Sequence, residues 1–204
     1  MRGRVITVAT SNAGKLRDFQ GAAAEFGVEV RGLPRFASLP PAVEDGLTFA
    51  ENARKKAAHY AAFENCDLLI ADDSGIEVDA LGGAPGVHSA RYAATANSNA
   101  GDAANNAKLL RELSGTPAER RGAQFVCVIA AAAQGAVIPE VFTGTVRGMV
   151  LQEARGGFGF GYDPLFLVPE LQKTFAELSA AEKARFSHRG IAFRKFLEWL
   201  ARTR

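Results

Sequence analysis

The stretch Val5-Ile-Thr-Val-Ala-Thr-Ser-Asn-Ala-Gly-Lys15 decides how the chain begins to fold. Its first half, up to Ala9, is apolar and β-branched, which is typical of a short buried strand. A polar loop follows, and from Lys15 onward apolar residues recur at helical spacing until Gly27. A strand that passes through a polar loop into a helix predicts an α/β protein.

The rest of the chain continues this alternation. A capping box, Thr48-Phe-Ala-Glu51, predicts the start of a second helix. Leu68-Leu-Ile-Ala71 predicts a buried strand that ends at Asp72. Further elements are predicted as strands from Ala123 to Ala132 and Ala136 to Thr145 around a turn at Gln134-Gly135, and as helices from Ser179 and from His188 to Arg202. We expect an α/β protein with a mixed sheet and flanking helices, in a single domain over residues 1–204.

The composition is that of an ordinary globular protein, with 48% hydrophobic and 23% charged residues. Lys and Arg total 24 against 22 Asp and Glu, which argues against nucleic acid as a partner. The two cysteines, Cys66 and Cys127, have neither disulfide-framework nor metal-ligand spacing, which predicts a reducing compartment. Charged residues interrupt the N-terminus, and no apolar run reaches the length of a bilayer. We therefore expect a soluble, cytoplasmic protein that binds no membrane.

The loop from Thr10 to Lys15 is the first candidate site. The N–H groups and positive dipole end at the start of the following helix predict a seat for phosphate groups. Lys15 adds a cation, and the Thr10 hydroxyl and Asn12 amide add hydrogen-bonding groups. The loop is not a Walker A motif, because Ala9 and Leu16 stand where that motif requires a glycine and a hydroxyl residue. An ordinary strand–turn–helix junction is the alternative interpretation.

Two adjacent aspartates, Asp72 and Asp73, form the second candidate site. Neighbouring side chains of a strand face opposite ways, so one carboxylate can face a ligand while the other holds the loop through backbone N–H groups. Such a carboxylate suits Mg²⁺, which proteins bind with one or two carboxylates and substrate phosphates. Glu44 offers another carboxylate, and Lys56 shares a helix face with Asn52. The alternative is an Asx-turn without a ligand.

The third candidate site is rich in glycine and aromatic residues, Phe158-Gly-Phe-Gly-Tyr-Asp-Pro164. Glycines between aromatic rings let the backbone lie against a planar ligand, and Phe160 could stack on a base. Asp163 could accept hydrogen bonds from ring N–H groups. His188 and Arg189 are donors that could bind a base carbonyl. The alternatives are an aromatic-rich core turn and a solvated His-Arg pair.

Seven segments of the chain match one known pattern in order. They are Thr10-Ser-Asn-Ala-Gly-Lys15, Glu44-Asp-Gly-Leu-Thr-Phe-Ala-Glu-Asn52, Ala71-Asp-Asp-Ser-Gly75, Leu81-Gly-Gly-Ala-Pro-Gly86, Ser89-Ala-Arg-Tyr92, Gly159-Phe-Gly-Tyr-Asp-Pro164 and Ser187-His-Arg-Gly190. Together they resemble the inosine triphosphate pyrophosphatase family, which removes non-standard purine nucleoside triphosphates. Each segment is short, but the ordered set covers nearly the whole chain. Two residues depart from the pattern: Ser11, where glycine is common, and Phe158, where a smaller residue is frequent.

The resemblance implies a fold and an activity. The fold has a central mixed sheet with flanking helices and two lobes around a nucleotide-binding cleft. The enzyme is a homodimer that uses Mg²⁺ to hydrolyse ITP, dITP and XTP to the monophosphate and pyrophosphate, which keeps these nucleotides out of nucleic acid. Its substrate is a small molecule, a nucleoside triphosphate.

The resemblance also implies roles for single residues. Glu44 and Asp73 match the metal site, and Asp73 matches the proposed general base, with Lys15 and Lys56 as further catalytic residues. The positions matched to substrate are Thr10, Ser11, Asn12, Ala13, Gly14 and Lys15 for the triphosphate, and Ser74, Phe160, Gly161, Tyr162, Asp163, Lys183, His188 and Arg189 for the nucleoside. Donors at positions 188 and 189 would favour a base with a 6-keto oxygen over adenine.

Two other functions stay open from the sequence. One is a related pyrophosphatase that acts on modified pyrimidines, against which the segments around Phe160 and His188 argue. The other is a nucleotide sensor that binds without hydrolysis, which would not need Glu44, Asp73 and Lys15 together. A nucleic-acid-binding protein is disfavoured by the charge balance.

Overall fold

The computed structural model of the chain describes residues 5–64, 66–94 and 100–203. Within these ranges the strands are β1 (Val5–Val8), β2 (Glu29–Gly32), β3 (Leu69–Val78), β4 (Gly122–Ala133), β5 (Ala136–Val150), β6 (Phe166–Val168) and β7 (Lys173–Thr174). The α-helices are α1 (Ala13–Ala24), α2 (Phe49–Ala61), α3 (Asp102–Glu112), α4 (Ala180–Phe186) and α5 (His188–Arg202). None of the helices in the described ranges is long and apolar enough to span a membrane.

The strands form a sheet in the order β2-β1-β3-β4-β5-β6-β7. Strand β1 pairs in parallel with β2 and β3, as expected for strands joined through helices. Strand β6 pairs antiparallel with both β5 and β7. The sheet is therefore mixed, and the predicted fold class is confirmed.

Local sequence signals explain where several elements begin. Asn12 caps α1 by accepting from the Lys15 N–H group, and Ser187 caps α5 by accepting from Gly190. The predicted hairpin is confirmed: Gln134 and Gly135 join β4 and β5 with φ values of 50° and 81°. Positive φ at both turn residues is the geometry that fits the twist of a two-residue hairpin.

Capping residues mark the starts of α2 and α4, as predicted from Thr48 and Ser179. At α2, the Thr48 hydroxyl accepts from the Glu51 N–H group, but the Glu51 carboxylate accepts from Leu47. At α4 the box is reciprocal, because Ser179 and Glu182 each accept from the other's backbone N–H group.

Strand β3 is longer than the sequence predicted. We expected it to end at Asp72, yet it continues through both aspartates, Ser74 and Gly75 to Val78. The predicted end of the strand is therefore wrong. Each buried aspartate is matched by cationic side chains, which offset the cost of removing its charge from water.

The chain divides into two compact units. Unit 1 comprises Met1–Asp73, Cys127–Gly144 and Ala184–Arg204, and unit 2 comprises Ser74–Val126 and Thr145–Lys183. Each unit has its own apolar core. In unit 1 the core joins residues of β1, α1 and α5, among them Ile6, Phe19 and Phe196. In unit 2 it gathers residues such as Ile76, Leu109, Phe166 and Phe175. A single domain over 1–204 stays a prediction.

Candidate active site

The first candidate site is the loop between β1 and α1, in unit 1. The Thr10 hydroxyl accepts from the Asn12 N–H group at 3.1 Å, and Asn12 Oδ1 accepts from the Lys15 N–H group at 3.0 Å. The N–H groups of Ala13 and Gly14 head the helix, where helical geometry provides no intrahelical acceptor. Ser11, Asn12 and Ala13 are exposed. Hydrogen bonds within the loop thus hold its shape, and the loop leads into a helix N-terminus, where anions commonly bind.

Asp72 contacts Lys15, the last residue of this loop. Its carboxylate is buried, and Oδ2 is 2.9 Å from Lys15 Nζ and 3.7 Å from Arg189 Nε. Arg189 also donates from Nη1 to Asp18 Oδ2 at 2.7 Å. Four alternating charges, on Lys15, Asp72, Arg189 and Asp18, therefore link α1, β3 and α5. We call this set the α1 charge chain.

Burial and neighbouring charges act in opposite directions on this chain. Burial raises the pKa of Asp72, but the charges of Lys15, Arg189 and Lys56 outweigh it and hold that pKa well below its ordinary value. Burial lowers the pKa of Arg189, and the carboxylates of Asp72 and Asp18 more than restore it. Both groups are therefore ionised at neutral pH.

Asp73, the next residue of β3, belongs to a different set of contacts. Lys56 Nζ lies 2.9 Å from Asp73 Oδ1 and 2.9 Å from Glu44 Oε2. Asn52 Nδ2 donates to the other oxygen of Asp73 at 3.2 Å, while Asn52 Oδ1 accepts from the Gly46 N–H group at 2.8 Å. The predicted common face of Asn52 and Lys56 is thus real, and both side chains point at Asp73. We call Glu44, Asn52, Lys56 and Asp73 the carboxylate cluster.

Lys56 is not a solvated helical lysine. It is 7% exposed. Burial lowers its pKa, but attraction by Asp73, Glu44 and Asp72 outweighs burial and places the pKa above its ordinary value. The ammonium group is therefore charged. Two carboxylates around one ammonium leave the carboxylate cluster with a net charge of −1 when Glu44 and Asp73 are ionised.

The donor set fits a hard divalent cation. Glu44 and Asp73 both contact Lys56 Nζ, so their carboxylates lie near each other, and oxygen ligands with a net negative charge suit Mg²⁺. Among residues 5–64, 66–94 and 100–203, no group of three or more His, Cys, Asp or Glu side chains could hold a metal. Magnesium needs no such group, because it commonly uses one or two carboxylates together with phosphates and water.

A second group of predicted residues gathers in unit 2. Asp163 is 3% exposed, and its Oδ2 accepts from the Phe160 N–H group at 2.8 Å and from Lys183 Nζ at 2.6 Å. The same Lys183 nitrogen lies 4.8 Å from the centre of the Phe160 ring. Asp163 therefore holds the backbone of Phe160 and keeps the Lys183 ammonium group near the Phe160 ring. We call Phe160, Asp163 and Lys183 the aromatic group.

The glycines of this segment have structural reasons to be glycine. Gly159 has φ of 82°, and a Cβ there would overlap the Asp163 carboxylate. Gly161 has φ of 62°, and its N–H group donates to Asp102 at 2.7 Å while its carbonyl accepts from Asn106 at 2.9 Å. Tyr162 is buried and donates its hydroxyl to the Ser89 carbonyl at 2.8 Å. Gly161 is thus held at both backbone atoms.

The remaining predicted residues fall in different places. Ser74 is half-buried in β3 as the first residue of unit 2. His188 and Arg189 open α5 in unit 1, where they are 3% and 2% exposed, so the alternative of a solvated pair is wrong. Phe158, one of the two departures, is 73% exposed.

Sequence reasoning assigned no role to Asp18 or Asn52. Asp18 follows Lys15 by three residues, which places both on one face of α1 and was a usable signal. Asn52 is 0% exposed and connects the backbone of Gly46 to Asp73. Its spacing of four residues from Lys56 predicts a shared helix face, but the spacing alone does not show which group the two side chains contact.

Comparison with known proteins now adds to this geometry. The family described as Ham1 matches residues 6–199. The chain belongs to this family. It is 48% identical over 190 residues to a dITP/XTP pyrophosphatase of Exiguobacterium sibiricum, covering 93% of each chain. It is 50% identical over 193 residues to a dITP/XTP pyrophosphatase of Geobacillus kaustophilus, covering 95% of this chain and 92% of that protein.

Solved structures of family members have the same fold. The Ham1 protein of Staphylococcus aureus superposes with a TM-score of 0.80 at 40% identity, covering 98% of this chain and all of that one. A HAM1 protein of Coxiella burnetii gives a TM-score of 0.81 at 38% identity, covering 97% and 98% of the two chains. The family resemblance read from the ordered segments is confirmed.

Proposed function

We propose that this chain hydrolyses non-standard purine nucleoside triphosphates, namely dITP, ITP and XTP, to the monophosphate and pyrophosphate. One observation supports this most directly. A chain about half identical to named dITP/XTP pyrophosphatases pairs Lys15 at a helix N-terminus with Asp72, and the next residue, Asp73, shares Lys56 with Glu44. The proposed phosphate-binding and metal-binding residues thus belong to the same unit, unit 1.

The reaction is a displacement at the α-phosphorus. A water oxygen forms a bond to the α-phosphorus, and the bond from that phosphorus to the oxygen bridging it to the β-phosphorus breaks. Pyrophosphate leaves with the electron pair of the broken bond. The water proton passes to Asp73, the proposed general base, whose carboxylate is held by Lys56 and Asn52.

The proposed cofactor is Mg²⁺, held by Glu44 and Asp73. When bound, it would offset charge on the phosphate oxygens. The chain's own cations act alongside. Lys15 and Lys56 stabilise the negative charge that develops on the leaving pyrophosphate, and the N–H groups of Ala13 and Gly14 bind phosphate oxygens. Thr10, Ser11 and Asn12 complete this seat.

The aromatic group is proposed to bind the nucleoside. Phe160 offers a ring face on which a base can stack. Asp163 holds the Phe160 backbone N–H group, and Lys183 contacts both Asp163 and the Phe160 ring. Gly161, Tyr162 and Ser74 are proposed to help shape this part of the binding site. His188 and Arg189 are proposed to donate to the 6-keto oxygen. A guanidinium has five N–H donors, so Arg189 can serve Asp18, Asp72 and a base.

Assembly and location are further proposals. We propose a cytoplasmic homodimer, supported by the family resemblance and by free cysteines at positions 66 and 127. Light scattering on the purified chain tests the dimer, and a mass of about one protomer contradicts it.

The test is incubation with and without Mg²⁺, using dITP, XTP, dGTP and dATP in parallel. We expect pyrophosphate release from dITP and XTP only when Mg²⁺ is present. Binding of dITP without turnover would indicate a sensor instead. Equal turnover of all four would keep the reaction and refute the purine 6-keto selectivity.

A further inference from the structure

The α1 charge chain contains a residue with no role in the proposed reaction. Asp18 lies one turn after Lys15 on α1, and its side chain is 12% exposed. It pairs with Arg189, whose side chain is 2% exposed. A surface ion pair adds little, but a pair at this depth fixes two side chains in one geometry.

The chain attaches α1 to β3 at two points. Lys15 contacts Asp72 directly at 2.9 Å. Asp18 reaches Asp72 through Arg189, with separations of 2.7 Å and 3.7 Å. Both attachments lie in the first two turns of α1, the end of the helix that forms the phosphate seat. Phe19, the next residue, packs against Arg189 with 5.9 Å between ring centre and guanidinium carbon.

Binding of a triphosphate would weaken one of these two attachments. An anionic ligand at the seat competes with Asp72 for the Lys15 ammonium group. Asp72 then depends more on Arg189, since a buried carboxylate needs a cation. Arg189 in turn stays at Asp72 because Asp18 holds its other arm. The attachment through Asp18 therefore persists when the direct one is weakened.

We propose that Asp18 is a positioning residue for the phosphate seat: through Arg189 and Asp72 it fixes the N-terminal turn of α1 and the Lys15 ammonium group. This proposal rests on the proposed function, since Lys15 matters only if a polyphosphate binds there. Loss of Asp18 would weaken binding of the polyphosphate part of the substrate more than binding of the nucleoside monophosphate part, which meets Arg189 only through its base. A misplaced charged group loses affinity although it is still present.

The experiment compares Asp18→Asn with Asp18→Glu and with Glu25→Gln, which removes an exposed carboxylate at the end of the same helix. We expect Asp18→Asn to raise KM for dITP and the inhibition constant of inorganic pyrophosphate about tenfold each. The inhibition constant of dIMP should rise clearly less than that of pyrophosphate, and kcat should fall by less than about threefold. Asp18→Glu should restore most of the affinity, and Glu25→Gln should resemble wild type.

The outcomes separate the two proposals. A wild-type chain that does not hydrolyse dITP refutes the proposed function. Hydrolysis by wild type, with unchanged KM and pyrophosphate inhibition in folded Asp18→Asn, refutes the role of Asp18. Equal weakening of pyrophosphate and dIMP would also refute it, because a general structural defect is not specific for the polyphosphate.

If Asp18→Asn does not fold, Arg189→Lys provides the second variant. Lysine keeps a positive charge near Asp72 but lacks the two-armed guanidinium that reaches both carboxylates. Pyrophosphate inhibition should again weaken about tenfold. An unchanged inhibition constant in Arg189→Lys refutes the proposal.

Discussion

Lys56 places its ammonium nitrogen 2.9 Å from the Oδ1 atom of Asp73, and both side chains are buried. A helix residue and a strand residue 17 positions apart thus form one charged unit. This contact holds the carboxylate of Asp73 in one orientation while its second oxygen takes the Asn52 amide. A carboxylate held from two sides is suited to orient a water molecule.

The first prediction concerns Asp73→Asn. The amide keeps the size of the side chain but cannot accept a proton, so we expect kcat on dITP to fall by about 10²-fold or more. The measurement is pyrophosphate release under saturating dITP. The control is Asp67→Asn, an exposed aspartate just before β3, which should retain full activity. Near-normal turnover of Asp73→Asn would refute its role as general base.

The second prediction separates two neighbouring acids. Glu44 contacts buried Lys56, whereas Asp45 is exposed and contacts Lys55. If Glu44 holds Mg²⁺, Glu44→Gln should raise the Mg²⁺ concentration for half-maximal activity about tenfold or more. Asp45→Asn should leave that concentration unchanged. The assay is a Mg²⁺ titration at fixed dITP, and identical titration curves for the two variants would contradict the metal assignment.

Much of the fold could be predicted from local sequence. Strand β1, the start of α2, the hairpin at Gln134-Gly135 and helix α5 follow from periodicity, capping residues and turn residues. These signals act within a few residues, so the sequence shows them directly. The end of β3 could not be predicted in this way. It depends on cations supplied by α1, α2 and α5.

The candidate site was predictable as a set of positions but not as a set of contacts. Thr10 to Lys15 and the two aspartates were found from residue type and place in the fold. The different partners of Asp72 and Asp73 could not be predicted, because Lys15 of α1 contacts Asp72 and Lys56 of α2 contacts Asp73.

The third prediction tests the aromatic group. Lys183→Met removes the cation that joins Asp163 to the Phe160 ring, so we expect KM for dITP to rise about tenfold. Pyrophosphate inhibition should not change, because the phosphate seat belongs to other residues. Lys108→Met is the matched control, since Lys108 lies 4.2 Å over the Tyr92 ring in the same unit. Weaker pyrophosphate inhibition in Lys183→Met would argue against a nucleoside role.

The fourth prediction concerns selectivity. If Arg189 donates to the 6-keto oxygen, Arg189→Ala should lower the ratio of kcat/KM for dITP over dATP by about 10²-fold. The ratio is insensitive to the fraction of folded enzyme, because both substrates meet the same molecules. Arg194→Ala, which removes an arginine of α5 bonded to the carbonyls of Ala184 and Arg185, should keep the ratio. An unchanged ratio in Arg189→Ala would refute the contact with the base and leave Arg189 only its role in the α1 charge chain.

The fifth prediction links packing to the start of α5. Gly144 in β5 lies so close to α5 that an added Cβ would overlap the His188 carbonyl oxygen and crowd the Ala192 nitrogen. Neither is a flexible side chain, so Gly144→Ala must shift α5 and should lower the free energy of unfolding by about 1–3 kcal/mol. Gly157 has open space around it and a φ outside the left-handed range, so Gly157→Ala should be neutral. Urea unfolding measures both. Because His188 and Arg189 open this helix, Gly144→Ala should also reduce dITP selectivity, and a destabilised variant with wild-type selectivity would show that α5 does not position the base-binding donors.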